Sequence, residues 1–472
     1  MASMRTDRAW LPLLLALASG GLLFLSDHPV HLWPLQVVAL VPLLLALLRW
    51  SASSTVAAAC GLALGAGYTI PLTVVLQLPP LMAAALAVYL TLLWMVFAAA
   101  ARLLLRWPAP WSGLAVGALA AGLAWVNVSA LSIWGTAQSF VRVWSALPFA
   151  IQFVAFTGIT GLVFVIVAAQ ALGVRAALSR GRERVVAAAA LACLLAVVAA
   201  ADLWLWTQDP VATIRVAAIG WTWDELERRG AATTEQRISE FFEPALAEAA
   251  GKGARLLVSP ETGFRLSDDQ RQDALQRFAA LARRHGVHLA VGYFDSGRND
   301  NRIVFIDHQG RIRGEYRKTH LIPGIESYEP GDGALVGVPL DELRLGGMIC
   351  QDDNFTDLAR GYGRQRAQIL ALPTNDWEQI KDHHFENSLF RPIENRYAVV
   401  RAASDGISAI VSPRGEVLAR RDHIEQGAGV IVADVAVGEG GSLYAAAGDW
   451  FAAACACALL VGIALGVLRR RS

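Results

Sequence analysis

The feature that most constrains this chain is where its charges are missing. From Trp10 to Trp206, Leu, Ala and Val dominate and charged residues are sparse. From Arg215 to Asp434 the mix is that of an ordinary soluble domain, and from Trp450 to Leu468 it turns apolar again. Charged residues make up 17% of the whole, against roughly a quarter in a typical soluble domain. A chain divided this way must satisfy two solvents, with apolar helices in hydrocarbon and one large polar domain in water. Segments 9–26, 30–48, 53–77, 81–105, 111–131, 150–173, 185–206 and 447–468 are the candidate spans, about eight by the twenty-residue criterion. Arg5 and Arg8 ahead of the first run imitate a signal peptide. No clear small-residue cleavage site follows and a second apolar run starts almost at once, so a retained helix is expected.

Arginines set the orientation. Arg5 and Arg8 precede the first span, Arg49 follows the second, and Arg102 and Arg106 close the fourth. Arg175, Arg180, Arg182 and Arg184 separate the sixth from the seventh, and Arg469, Arg470 and Arg471 follow the last. With about eight crossings these fall on one side, which the positive-inside rule makes cytoplasmic. Both termini are then cytoplasmic, in a multi-pass membrane protein. The polar domain lies outside, in the periplasm where there is one. The expected divisions are 1–210 (helical), 211–440 (soluble) and 441–472 (last helix and basic tail).

Several classes are excluded or unsupported. A net charge of +1 and the absence of a basic stripe give no sign of nucleic acid. The five cysteines show neither CxxC nor Cys/His metal spacing, so no metal is expected. No GxGxxG or P-loop appears, so no nucleotide cofactor is indicated. No feature sets the oligomeric state, and a monomer is the expectation.

The polar part reads as alternating strands and helices. Strands are expected at 213–220, 255–259, 287–293, 302–307, 311–316, 343–349, 368–372, 398–403 and 408–412, and helices at 224–250, 268–285 and 383–397. That pattern implies a layered α/β domain. Within it, Gly346-Gly347-Met348-Ile349 leads into Cys350, while Cys60, Cys193, Cys455 and Cys457 all sit in apolar runs. An isolated thiol at the end of a buried strand suits a nucleophile, although a free cysteine is also a common inert core residue. Two more strand ends carry reactive groups. Glu261 follows Leu257-Val258-Ser259-Pro260, where partial desolvation would raise its pKa and fit it to take a thiol proton. Lys318 follows Tyr316-Arg317, where a cation could steady a thiolate or an oxyanion. Between the fifth and sixth spans, Trp134 and Trp144 are either an interfacial aromatic belt or a lip for an entering lipid. Trp377 is a third candidate substrate contact.

Pro260-Glu261, Tyr316-Arg317-Lys318-Thr319-His320-Leu321, Gly347-Met348-Ile349-Cys350, Asn375-Asp376-Trp377, Glu394-Asn395-Arg396 and Pro413-Arg414-Gly415 occur in an order that resembles the nitrilase superfamily. That resemblance implies an αββα sandwich and a Glu-Lys-Cys triad. A nitrilase-type domain set between multiple spans is similar to the apolipoprotein N-acyltransferases. Ser442-Leu443-Tyr444 and Gly448-Asp449-Trp450 resemble the junction into that family's final helix. The resemblance implies Glu261 as base, Lys318 as transition-state stabiliser, Cys350 as acylated nucleophile and Glu326 as a second essential glutamate. Gln351 and Asp352 are supporting residues, standing where the family usually has an aromatic and a glutamate. It further implies a cofactor-free, two-step transfer. The acyl donor is a membrane phospholipid, and the acceptor is the amine of a diacylglyceryl-cysteine lipoprotein. A membrane-anchored amidase or nitrilase, or transfer to another amine, is the alternative; the stretch Gly324 to Asp332 is closer to soluble nitrilases.

Overall fold

The computed structural model describes residues 10–27, 30–51, 53–131 and 133–471, with side chains at 467 and 469–471 left undescribed. Arg5, Arg8 and the first residue of the expected span 9–26 lie outside the described residues, as do the side chains of Arg469, Arg470 and Arg471. The chain forms two compact units. One comprises 1–131, 138–205 and 449–472; the other comprises 132–137 and 206–448.

Among the described residues of the first unit, five helices are long and apolar enough to cross a membrane: Ser54–Val75, Pro80–Leu104, Trp111–Ala130, Ile159–Leu178 and Gly181–Trp206. Leu11–Ser26, Trp33–Arg49 and Trp450–Gly466 are shorter apolar stretches. Helix packing uses glycines four residues apart, as expected where backbones must approach without a hydrophobic drive between helices. A Cβ on Gly61 would lie 2.3 Å from the Trp94 carbonyl oxygen, and one on Gly65 would lie 2.7 Å from Thr91 Cα. Gly113 and Gly117 sit equally close to Leu172 and Ala168. Two expected spans are shaped differently. The 150–173 segment begins with a single helical turn, Val154–Thr157, is broken where Gly158 takes φ 67°, and runs as a long helix only from Ile159. The 30–48 segment divides into Trp33–Val37 and Val41–Arg49. The arginine-bearing ends gather together: Arg102 donates to the Ser51 carbonyl (3.0 Å), and Arg175 donates to Leu105 (3.3 Å) and pairs with Glu183 (2.8 Å).

In the second unit the strands are β1 Ala212–Gly220, β2 Leu256–Val258, β3 Phe264–Leu266, β4 His288–Asp295, β5 Asp300–Ile306, β6 Ile312–Arg317, β7 Val338–Leu340, β8 Leu343–Gly347, β9 Ile369–Asn375, β10 Ala398–Ser404, β11 Ile407–Val411, β12 Val417–Asp422 and β13 Gly429–Val437. One sheet runs β13-β1-β2-β4-β5-β6, with β3 against β4; the other runs β12-β11-β10-β9-β8-β7. Side-chain alternation decides which layer each residue enters. In β1, Val216 and Ala218 point into the core between the sheets, with Phe305, Leu345, Ile369 and Val400. Ala217 and Ile219 point outward onto Phe242, Leu246, Phe278 and Leu281 of the covering helices. This is the expected two-sheet sandwich with helices outside.

Two expected helices are broken. The 224–250 segment stops at Arg228, Gly230 turns at φ 73°, and helix resumes at Thr234. The 383–397 segment splits into Lys381–Ser388 and Phe390–Asn395. Pro392 has no N–H to offer the Ser388 carbonyl, so the turn cannot propagate.

Candidate active site

The second unit brings three strand ends together. Glu261 follows β2, Lys318 follows β6 and Cys350 follows β8, and all three side chains are buried. Lys318 Nζ donates to Glu261 Oε1 at 2.8 Å and to Glu326 Oε1 at 2.7 Å. Asn301 Nδ2 donates to Glu261 Oε1 (2.7 Å), and the Tyr328 hydroxyl donates to Glu326 Oε1 (2.8 Å). The Ile322 N–H holds the other Glu326 oxygen (2.8 Å). One ammonium thus sits between two carboxylates, each fixed by a further donor. Glu326 joins the cluster because the 318–328 loop folds back on itself.

Cys350 has φ 46°, a left-handed conformation for a residue with a Cβ, which costs on the order of 1–3 kcal/mol and persists only where the surroundings impose it. Here they do. A Cβ on Gly346 would lie 2.4 Å from the Tyr362 ring, and one on Gly347 would lie 2.6 Å from Phe305. The glycine pair therefore lets β8 sink fully between its neighbours and present the sulfur at its tip, where Sγ faces the Asn375 carbonyl at 3.6 Å.

Electrostatics suit proton transfer on demand. Burial pushes the Cys350 thiol up, and the Glu261 carboxylate adds to this, so the resting group is a thiol. Burial also raises Glu261, against the pull of Lys318 and with the push of Glu326, which makes it a stronger base than a solvated glutamate. Burial alone would lower Lys318; Glu261 and its other anionic neighbours outweigh that and hold the ammonium well above its ordinary value.

Asp352 is completely buried and ties the triad's loops together. It accepts from Tyr316 OH (2.8 Å), the N–H of Thr319 (3.2 Å), the N–H of His320 (2.7 Å) and the N–H of Ile349 (3.1 Å). The loop bearing Lys318 is thereby fastened to the turn bearing Cys350. Asp352→Asn keeps the shape but removes the charge these donors face, so we expect a loss of about 2–3 kcal/mol in unfolding free energy, measurable by thermal denaturation. Gln351 is buried, with its Oε1 taken by Asn354 Nδ2 (2.8 Å).

A second buried group lies behind Cys350. His384 bridges Asp376 Oδ1 (2.7 Å) and Asp353 Oδ1 (3.0 Å), and Arg401 donates to Asp376 Oδ2 (2.8 Å). Sequence reasoning named Asp376 only as part of a motif and missed Asp353, His384, Arg401 and Asn301, because no local pattern marks side chains that meet only across strands. Burial alone would lower His384; the two aspartates overcome it and raise its pKa from 6.5 to about 9. Its contribution is therefore complete below pH 6.5 and lost as pH rises through about 9. Relative to a His384→Gln variant, the protein should lose about 3 kcal/mol of stability across that window, checked by urea titrations at pH 6 and pH 10.

The tryptophans divide between the two units. Trp144 belongs to the first unit, where its ring packs edge-on against Trp33 (5.9 Å) and its Nε1 donates to Gln36 (3.0 Å). Trp134 is half-buried in the short segment of the second unit, beside Gly135 and Thr136. Thr136 N–H donates to the Asn354 carbonyl at 2.7 Å. Trp377 is half-buried two residues beyond Asn375.

Residues 215–444 match the carbon-nitrogen hydrolase family. An apolipoprotein N-acyltransferase of Geobacter metallireducens is 28% identical over 97% of this chain and 95% of its own length. A 2-oxoglutaramate amidase of Bacillus subtilis is 28% identical over 42% of this chain and 82% of its own. Among solved structures, a mutant of the Nesterenkonia AN1 amidase from the nitrilase superfamily covers 47% of this chain and 90% of its own, with 22% identity and a TM-score of 0.42. Residues 215–444 thus carry the match to the carbon-nitrogen hydrolase family, and the similarity to an apolipoprotein N-acyltransferase runs along nearly the whole length of the chain.

Proposed function

We propose that this protein is a membrane acyltransferase that moves a fatty acyl chain from a phospholipid, through a thioester on Cys350, to the terminal amine of a diacylglyceryl-cysteine lipoprotein. The observation that carries the reading is the bridge from Lys318 to Glu261 and Glu326 next to Cys350. It occurs in a domain inserted before the last apolar helix of a chain similar to such an acyltransferase almost end to end. Glu261 takes the thiol proton as sulfur attacks the ester carbonyl, while Lys318 and the N–H of Gln351 hold the oxyanion. The carbon–oxygen bond breaks, Glu261 returns the proton to the leaving alkoxide, and lysophospholipid departs. The acceptor amine then attacks the thioester, Glu261 removes its proton, and the carbon–sulfur bond breaks to restore the thiol. Asp352 and Gln351 position the turn, and Trp134, Trp144 and Trp377 are proposed contacts for the lipid chains. A membrane site has a physical reason, since drawing a chain into water costs about 0.8 kcal/mol per CH₂. On this reading the domain over 211–440 faces the periplasm, with both termini cytoplasmic in the inner membrane.

Mass spectrometry of the purified protein incubated with phosphatidylethanolamine tests the reading. A long-chain acyl adduct on Cys350, discharged by a diacylglyceryl-cysteine peptide, is the expected result. The similarity to an amidase over 42% of the chain favours a second reading, a hydrolase. Rapid discharge of the adduct by water, with small amides cleaved and no peptide acylated, would select it.

A further inference from the structure

At the opposite end of β8 from Cys350, three potential ligands converge from separate elements. His288 opens β4, His308 sits in the turn between β5 and β6, and Asp341 sits in the turn between β7 and β8. His288 Nε2 lies 3.0 Å from His308 Nδ1 and 3.3 Å from Asp341 Oδ1, and His308 Nδ1 lies 3.7 Å from the same oxygen. Bonds of about 2.0–2.1 Å to a tetrahedral zinc place neighbouring ligand atoms roughly 3.3 Å apart. The three separations bracket that edge length.

The surroundings hold these atoms in place. Arg255 pairs with the other Asp341 oxygen, leaving Oδ1 turned to the imidazoles. The Asp341 backbone takes φ 52°, the left-handed conformation of a tight turn. His288 is buried, whereas the His308 side chain is 40% exposed and that of Asp341 25%. The cluster therefore has one anchored ligand and an open side for a fourth, water-filled position. Nearby Asp307 is engaged by Arg311 and Arg313 and is not offered to an ion.

We propose that His288, His308 and Asp341 form a binding site for a divalent transition metal such as zinc. The ion would brace the first sheet, through β4 and the β5–β6 turn, to the second sheet through the β7–β8 turn. It is a structural site: no part of it belongs to the Glu261–Lys318–Cys350 cluster. The adjacent Arg255 guanidinium weakens a cation's hold, so a reversible site is expected rather than a permanent one.

The test uses the full chain, purified in detergent and stripped of metal, with Cys350→Ala so that the buried thiol takes no ion. Cobalt(II) should give the intense visible bands of a four-coordinate ion at one equivalent, and zinc chloride should raise the melting temperature. His308→Ala alters an exposed side chain, so its metal-free melting temperature should match that of the parent. It should lose the cobalt bands and the zinc shift, with at least a tenfold weaker affinity, and Asp341→Ala should do the same. A parent chain without cobalt bands or zinc shift overturns the proposal, as does a His308→Ala chain that keeps both.

Discussion

Cys350→Ala is expected to remove the acyl-enzyme completely and to cut turnover by on the order of 10⁴-fold or more, the scale seen when a nucleophile is deleted from a cooperating group. The fold should survive. The alanine methyl fills most of the thiol's space, and Glu261 keeps Lys318 and Asn301 as partners. The measurement is intact-protein mass spectrometry after incubation with phospholipid, alongside N-acylation of a lipopeptide. Acylation of the peptide by the alanine variant would mean that sulfur is not on the reaction path. Cys350→Ser is the sharper comparison. Its hydroxyl can occupy the same left-handed turn, but Glu261 is far too weak a base to ionise it to a useful extent, so it should be nearly as inactive.

Lys318→Met is expected to damage both stability and activity. Lys318 is fully buried and is the cation shared by Glu261 and Glu326. Removing it leaves two carboxyl groups, one buried and one half-buried, with hydrogen-bond donors but no counter-charge. Breaking a buried pair in this way costs about 3–5 kcal/mol, and one or both acids must take up a proton. The variant should therefore melt lower, become more stable as pH falls towards the carboxylate range, and form no thioester at any pH. Lys318→Met with Glu326→Gln should recover part of the stability and none of the activity. Recovery of both would mean that the ammonium does no more than balance charge.

Much of this was legible in the sequence because it depends on local pattern. Strand ends at Glu261, Lys318 and Cys350 follow hydrophobic or alternating runs that any sheet would bury. The glycine pair before Cys350 signals a close approach, which Tyr362 and Phe305 provide. What stayed hidden depends on distant partners. Strands β3 and β7 have three residues each, too few to carry a period. Asp352 stands one residue beyond Gln351, and nothing nearby in the chain says that Tyr316, Thr319 and His320 will all donate to it. The buried His384 network has the same cause, joining residue 353 in the turn after β8, residue 376 just beyond β9, residue 384 in a helix and residue 401 in β10. The broken helix at Pro392 was readable and shows how a single missing N–H overrides an apolar repeat.

Lys318 is one ammonium hydrogen-bonded to two carboxyl groups, so its cluster holds more acids than cations. A cluster of that composition would sort incoming groups by their sign before any chemistry begins. A protonated amine would be drawn toward it and could hand its proton to the Glu261 carboxylate, whereas a fatty-acid anion would be repelled. The catalytic groups would thereby favour the onward passage of the acyl chain to nitrogen and discourage re-entry of the species that hydrolysis would release.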